Sequence, residues 1–318
     1  MKIKTAIHLF VNDRRKFLNT VFDKLNKRNM LNWLGDSIFL RMDYWLKFGK
    51  KLNLKNPQTF NEKLQWLKLY DRRPEYITMV DKIAVKDYVA KRIGDEFIIP
   101  TLGVWERPED IDWNVLPNQF VIKWNHDSGS IVICNDKSIF NKDAAIGKLS
   151  YGAKVNGFWY GREWPYKGVK PMLLAEQYIE DSSNAVLNKG ERADLVDYKF
   201  MCFNGEVKCC FTCTERFSGH GLKVTFYDNE WNIMPFERDH PRETTPIQKP
   251  YCYEQMKKVA EILSKDLPFA RIDFYEINKQ PYFGEITLYP GSGHEAFQPE
   301  EWDYTLGSWI TLPEKNEK

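Results

Sequence analysis

No stretch of this 318-residue chain approaches the ~18 apolar residues in a row that a membrane span requires. The opening segment, MKIKTAIHLFVNDRRKF, has an apolar run too short and interrupted for a secretory signal, so a cytoplasmic location is expected. Cysteine is scarce. Of six, Cys134 and Cys252 stand alone, while Cys202, Cys209, Cys210 and Cys213 share one strand-like segment. Cys210-x-x-Cys213 lacks the second pair or His-rich partner that a zinc site needs, so these residues are expected to be small buried hydrophobes. There is no G-x-x-x-x-G-K-[ST] phosphate loop, no Ser-His or Cys-His arrangement pointing to a side-chain nucleophile, and no internal repeat.

What is present is a globular composition: 43% hydrophobic, 15% aromatic, mean hydropathy -0.54. The net charge is only +2, but residues 1–55 hold 13 Lys or Arg against 4 Asp, a local +9, leaving 33 against 40, or -7, for the rest. Phe17, Val21, Phe22 and Leu25, then Ile38, Phe39, Met42, Trp45 and Leu46, recur at helical spacing in that basic stretch. Two readings stand: a basic amphipathic surface for anionic lipid, or a pair of helices with a solvated basic face. Confinement of the positive charge to this stretch, with no recognised binding motif, argues against a nucleic-acid partner.

Helices dominate the first part. Thr59 caps a segment with Glu62 three residues on, and MVDKIAVKDYVAKRIG predicts a second helix stopped by Gly94. Beyond it, QFVIKW, SIVICN, MLLAEQYIE, DLVDYKFMCFNGEVKCCFTC and LKVTFYDNEWN read as strands, DAAIGKLSYGAKV and YCYEQMKKVAEILSKDL as helices, and GFWYGREWPYKG as a long loop. One compact α+β unit is expected.

The segment FARIDFYEINKQPYFGEITLYPGSG reads as a hairpin carrying charge where a core should be. Arg271 and Asp273 share a strand face, as do Glu285 and Thr287. With a loop of Asn278, Lys279 and Gln280, Asp273 lies opposite Glu285, Cβ atoms ~5 Å apart. Two carboxylates that close need a cation between them or one of them protonated, and all-oxygen ligands favour Mg²⁺ as the cation; in another register both groups simply face solvent. Lys123 ends a strand before the small-residue loop NHDSGS, where Ser128, Gly129 and Ser130 can present backbone N–H groups to a phosphate. In LLAEQYIED, Glu176 is placed to accept from an adenine amino group and the Gln177, Tyr178 and Ile179 backbone to meet the ring edge.

Taken in order, Lys86, Lys123, Glu176, the Arg271-x-Asp273 pair and Glu285 in GEITLYPGSG resemble the ATP-grasp superfamily, and most closely its TupA-like branch, associated with bacterial surface polysaccharide loci. The likeness spans about residues 56–310. The resemblance implies an ATP-grasp fold of two α+β subdomains clamping ATP, with a helical N-terminal extension. The boundaries expected are 1–55 for a basic helical segment, 56–118 for a helical and small α/β part, 119–175 for a small subdomain with the phosphate loop, and 176–318 for a large subdomain with the hairpin. It further implies Lys86 and Lys123 at ATP phosphates, Glu176 at the adenine, Glu180 or Asp181 at the ribose, Asp273 and Glu285 at Mg²⁺, and Arg271 at the moving phosphoryl group. D-alanine:D-alanine ligases carry E-x-N-x-x-P-G; here Glu285, Thr287, Pro290 and Gly291 hold those offsets, and Thr287 offers a hydroxyl in place of a carbonyl oxygen.

Superfamily membership implies ATP- and Mg-dependent joining of a carboxylate to an amine through an acyl phosphate. The branch points to a uronic acid or other carboxylate-bearing sugar and an amine or amino acid. Arg162 and Tyr166, in the aromatic segment GFWYGREWPYKG, together with His126, Ser292 and His294, are substrate-contact candidates; the alternative for that segment is a loop anchored by its own aromatics, and for the histidines a wall position. His220 lies in a Gly-rich loop. Rival functions are a glycosyltransferase, for which Asp110-Ile-Asp112 is the sole D-x-D match, and an ATP-grasp kinase that stops at phosphate transfer.

Overall fold

The computed structural model describes residues 12–127, 129–153, 157–180, 195–214 and 221–315. The helices in chain order are α1 (Arg14–Lys27), α2 (Asp36–Phe48), α3 (Phe60–Tyr70), α4 (Glu75–Val80), α5 (Ala84–Ile93), α6 (Lys142–Gly152), α7 (Gly157–Gly161), α8 (Tyr253–Leu263) and α9 (Glu301–Ser308). The strands are β1 (Thr101–Trp105), β2 (Phe120–Trp124), β3 (Val132–Cys134), β4 (Leu173–Gln177), β5 (Asp197–Phe203), β6 (Glu206–Thr214), β7 (Lys223–Tyr227), β8 (Glu237–Arg238), β9 (Phe269–Ile277), β10 (Gln280–Thr287) and β11 (Phe297–Gln298).

Local chemistry sets several helix starts: Asp13 and Asn141 cap α1 and α6. Thr59 and Glu62 form the expected reciprocal capping box on α3. The single helix expected over MVDKIAVKDYVAKRIG is broken, because Asp81 Oδ1 accepts from the backbone N–H groups of Ile83 and Ala84 and starts α5 afresh. GFWYGREWPYKG is not a loop throughout: it holds α7 and a 3₁₀ turn over Trp164–Gly168.

Two antiparallel sheets frame the molecule. The small one runs β1-β4-β2-β3 and has its own core, in which Phe120, Ile122 and Leu173 meet Ala145 and Leu149 of α6. Because β1 pairs with β4, this sheet begins near residue 101, ahead of the expected boundary at 119. β4 is an internal strand, flanked by β1 and β2. The large sheet runs β10-β9-β5-β6-β7, with Met256, Ala260 and Leu263 of α8 buried in the same core. Phe22, Phe39, Leu40, Tyr44 and Leu46 of α1 and α2 also belong to that core, so the N-terminal helices are integral to the large body. All six cysteines are buried and free.

Asp273 does face Glu285, by another route than the three-residue loop. Asn278 and Lys279, both at left-handed φ (51° and 64°), form a two-residue turn, and a bulge at Gly284 then shifts the register by one. A side chain at Gly284 would start 3.1 Å from the Asp273 carbonyl oxygen, so the bulge fits glycine.

Candidate active site

On the small sheet, Val121 lies opposite Glu176, and Lys123, two residues on, shares their face. Glu176 is buried and forms ion pairs with both lysines: Oε1 lies 2.7 Å from Lys86 Nζ, and Oε2 contacts Lys123. Burial raises its carboxyl pKa, but Lys123 and Lys86 outweigh that and hold it below the usual range. Glu176 is therefore the counter-ion of two phosphate-binding candidates, with both carboxylate oxygens engaged. Lys86 also donates to Ile99 O (2.7 Å) and Thr101 Oγ1 (3.0 Å). Gln177 ends β4 with its N–H on Pro100 O, half-buried Tyr178 and Ile179 follow, and Glu180 is exposed.

Sequence reasoning missed Lys82, just ahead of α5. Its ammonium donates to Asp127 O (2.7 Å), burial lowers its pKa, and Glu285 is the largest electrostatic influence opposing that fall. The break at Asp81, which leaves Lys82 outside the helix, was not visible in the sequence. Asp127 and Gly129 continue the loop, where no atom lies within 4 Å of a Cβ built on Gly129, and Ser130 N–H donates to Asp127 Oδ1. Ser128, Asp181 and His220 lie outside the described residues.

On the large sheet, Arg271 donates to Asp273 through Nε and Nη2 (2.7 Å each) and to Glu285 Oε1 through Nη2 (2.7 Å). Lys199, opposite Asp273 across β5 and β9, donates to Asp273 Oδ2 and lies 3.5 Å from Asp197. Burial lowers the Lys199 pKa, but Asp273 reverses that and raises it overall. Lys199 was also missed. A lysine inside an otherwise apolar strand, two residues after Asp197, is its sequence signal, and its partner Asp273 is fixed by a strand order the sequence does not spell out.

Asp273 is buried, whereas Glu285 has 35% of its side chain exposed. Burial of that carboxyl is outweighed by Lys82, Arg271, Lys199 and Lys123, which pull its pKa down to about 2. Thr287 Oγ1 donates to Glu285 Oε1 at 3.3 Å. An ionised, partly open carboxylate beside a second one suits a hard cation that completes its shell with water and phosphate oxygens. Among the described residues no group of three or more His, Cys, Asp or Glu side chains has the geometry to hold a metal ion by itself.

The substrate candidates divide. Arg162 is fully buried, its guanidinium 4.4 Å from the ring centres of Phe39 and Trp159 and donating to Leu31 O (2.9 Å). It fastens α7 to the N-terminal helices, which corrects its reading as a substrate contact. His294 packs against Phe48 with Nε2 3.4 Å from Asp43, and burial, then Lys68 and Lys47, depress its pKa well below the usual range. It too is a wall residue. Burial raises the Asp43 pKa to about 6. His126 is buried edge-on to Trp124. Tyr166 is half-buried and close enough to feel the charges of Glu163, Glu285 and Arg271, though burial is the main cause of its raised pKa.

Ser292 sits in a turn with φ of 54°, between Gly291 and Gly293, which are also left-handed. Fully buried Lys68 of α3 holds it there, donating to Ser292 O (2.7 Å), Ser292 Oγ (2.9 Å) and Gly161 O (2.8 Å); burial lowers the Lys68 pKa to about 8. Asp110 of the D-x-D match is chelated by Arg107 on an exposed turn, remote in kind from a metal site.

Among solved structures, the chain resembles a D-alanine–D-alanine ligase from Bacillus anthracis complexed with ATP (14% identity, TM-score 0.40, 73% of this chain and 63% of that one). An L-amino acid ligase from Bacillus licheniformis is similar at 12% identity (TM-score 0.41, 73% and 49%), and a RimK domain ATP-grasp protein from Sphaerobacter thermophilus at 10% (TM-score 0.40, 76% and 70%). The chain thus spans less than two thirds of the first two proteins. No curated protein matches. The TupA-like ATPgrasp family model matches residues 62–311, and the chain belongs to that family.

Proposed function

We propose that the protein is an ATP- and Mg-dependent carboxylate–amine ligase acting through an acyl phosphate. One observation carries this reading: a group of three lysines with one carboxylate (Lys82, Lys86, Lys123 and Glu176) stands within electrostatic reach of a group of three carboxylates with two cations (Asp197, Asp273, Glu285, Lys199 and Arg271). A nucleotide triphosphate with a divalent ion has the complementary division, anionic phosphates for the lysines and a cation for the carboxylates.

In this reading Lys82, Lys86, Lys123 and Lys199 neutralise phosphate oxygens, and the Gln177–Ile179 backbone and Glu180 serve the base and ribose. Asp273 and Glu285 hold the metal, with Thr287 steadying Glu285. When bound, the ion would neutralise phosphate charge and lower the barrier to phosphoryl transfer. Arg271 stabilises charge on the phosphoryl group as it passes to the substrate carboxylate, and the loop over 125–130 keeps water from the acyl phosphate. Attack by the amine on the acyl carbon then expels phosphate and gives the amide.

Ser292 and Tyr166, both half-buried, are the candidates left to face the acceptor, while His126 is buried against Trp124. Family resemblance directs the carboxylate toward a uronic acid or other acidic sugar of a surface polysaccharide, joined to an amine or amino acid. The test is mass spectrometry after incubation with ATP, Mg²⁺, uronic acid glycosides and a panel of amines. Expected is an amide product with ADP and phosphate, formed only when both acceptor classes are present. ADP release that ignores the amine would move the assignment to a kinase; product formed only from a sugar nucleotide would move it to a glycosyltransferase.

A further inference from the structure

The N-terminal helices present an outer surface that the ligase reading does not use. On α2 the inward residues Phe39, Leu40, Tyr44 and Leu46 are buried, yet the opposite face is apolar as well: Ile38 is 56% exposed, and Met42 and Trp45 are each 42% exposed. The spacing of 38, 42 and 45 puts these three on one stripe. The turn before α2 extends it with Met30, 55% exposed, and Trp33, 80% exposed. A helix apolar on both sides is ordinarily covered on both, and here the outer side has no protein over it among the described residues.

Charge says what covers it. Lys24, Lys27 and Arg28 are exposed along the end of α1 that leads into this turn, and Arg41 lies within the stripe itself. Of the four acidic residues in 1–55, Asp23 pairs with Lys47 (3.4 Å), Asp36 with Arg72 (2.8 Å), Asp43 is buried beside His294, and Asp13 lies at the far end of α1. A second copy docked through the same face would set two net-positive patches against each other. A surface with exposed Trp and Ile between Lys and Arg matches the boundary of an anionic bilayer, where indole rings sit at headgroup level and cations meet lipid phosphates.

We propose that the α1–α2 turn and the outer stripe of α2 form a peripheral docking surface for an anionic membrane, with Trp33, Ile38, Met42 and Trp45 entering the headgroup boundary and Lys27 and Arg28 holding phosphates. The proposal is independent of the reaction catalysed. Its test is co-sedimentation of the full chain with vesicles of phosphatidylcholine, alone or mixed with phosphatidylglycerol, at low and high salt. Two surface variants are compared, Trp33→Ala with Ile38→Ser, and Lys27→Glu with Arg28→Glu, each confirmed folded by an unchanged melting curve. Expected is binding only to the mixed vesicles, weakened by salt and reduced roughly tenfold or more in each double variant. The proposal is overturned by wild-type protein that ignores anionic vesicles, by variants that bind as well as wild type, or by a concentration-dependent dimer that Trp33→Ala with Ile38→Ser abolishes.

Discussion

In the small sheet a single buried carboxylate, Glu176, answers two lysines, whereas in the large sheet Arg271 and Lys199 are set among Asp197, Asp273 and Glu285. The first arrangement leaves positive charge over, and the second leaves negative charge over. They also differ in access, since both oxygens of Glu176 are taken and the group is buried, while Glu285 is open to solvent on one side. Buried ions persist only where partners offset their desolvation, so each sheet carries its own counter-ions until a ligand of the opposite sign competes for them. In the proposed function the small sheet would receive anions and the large sheet a cation.

The largest expected effect follows from removing the large-sheet carboxylates. Asp273→Asn and Glu285→Gln should each reduce Mg-dependent ATP turnover by about 100-fold or more, with circular dichroism unchanged. Turnover equal to wild type in both would remove the metal assignment and erase the contrast between the sheets.

Glu176→Gln tests the other half. It strands two largely buried ammonium groups, so the protein should lose about 3 kcal/mol of stability in urea titration. A stability change within experimental error would mean that the lysines are not held by Glu176. Arg162→Met separates structure from binding: a loss of about 2 kcal/mol with ATP affinity unchanged is expected, because the guanidinium only joins α7 to the N-terminal helices. A selective rise in substrate KM with unchanged stability would restore its substrate role.

The smallest effect concerns acid. The folded Glu285 pKa of about 2 lies below its ordinary 4.5, so its contribution to stability is complete above pH 4.5 and is lost as pH falls toward 2. Urea titrations across that range should show a shallower acid decline in Glu285→Gln than in wild type, and parallel declines would contradict the depressed pKa.

How much of this was legible in the chain varied with distance along it. The α3 capping box, the strands QFVIKW and FARIDFYEI, and the facing of Asp273 and Glu285 all rest on neighbours or one turn, and were readable. The reason for the facing was not, since a two-residue turn plus a bulge at Gly284 imitates a three-residue loop in its final register. Lys199 and Lys68 escaped notice because their partners lie 74 and 224 residues away, Asp273 in one case and Ser292 in the other. Arg162 was misjudged for a related reason: its burial depends on α1 and α2 folding over it from more than a hundred residues upstream. The internal place of β4 likewise required knowing that β1 pairs back onto it.

Calorimetric titration of ATP into wild type, Glu285→Gln and Lys123→Met, each with and without Mg²⁺, tests the division of labour between the sheets most directly. The account predicts that Mg²⁺ tightens ATP binding in wild type and no longer does so in Glu285→Gln, while Lys123→Met weakens binding with or without the ion. Full retention of the Mg²⁺ effect in Glu285→Gln, or ATP binding indifferent to Lys123, would contradict it.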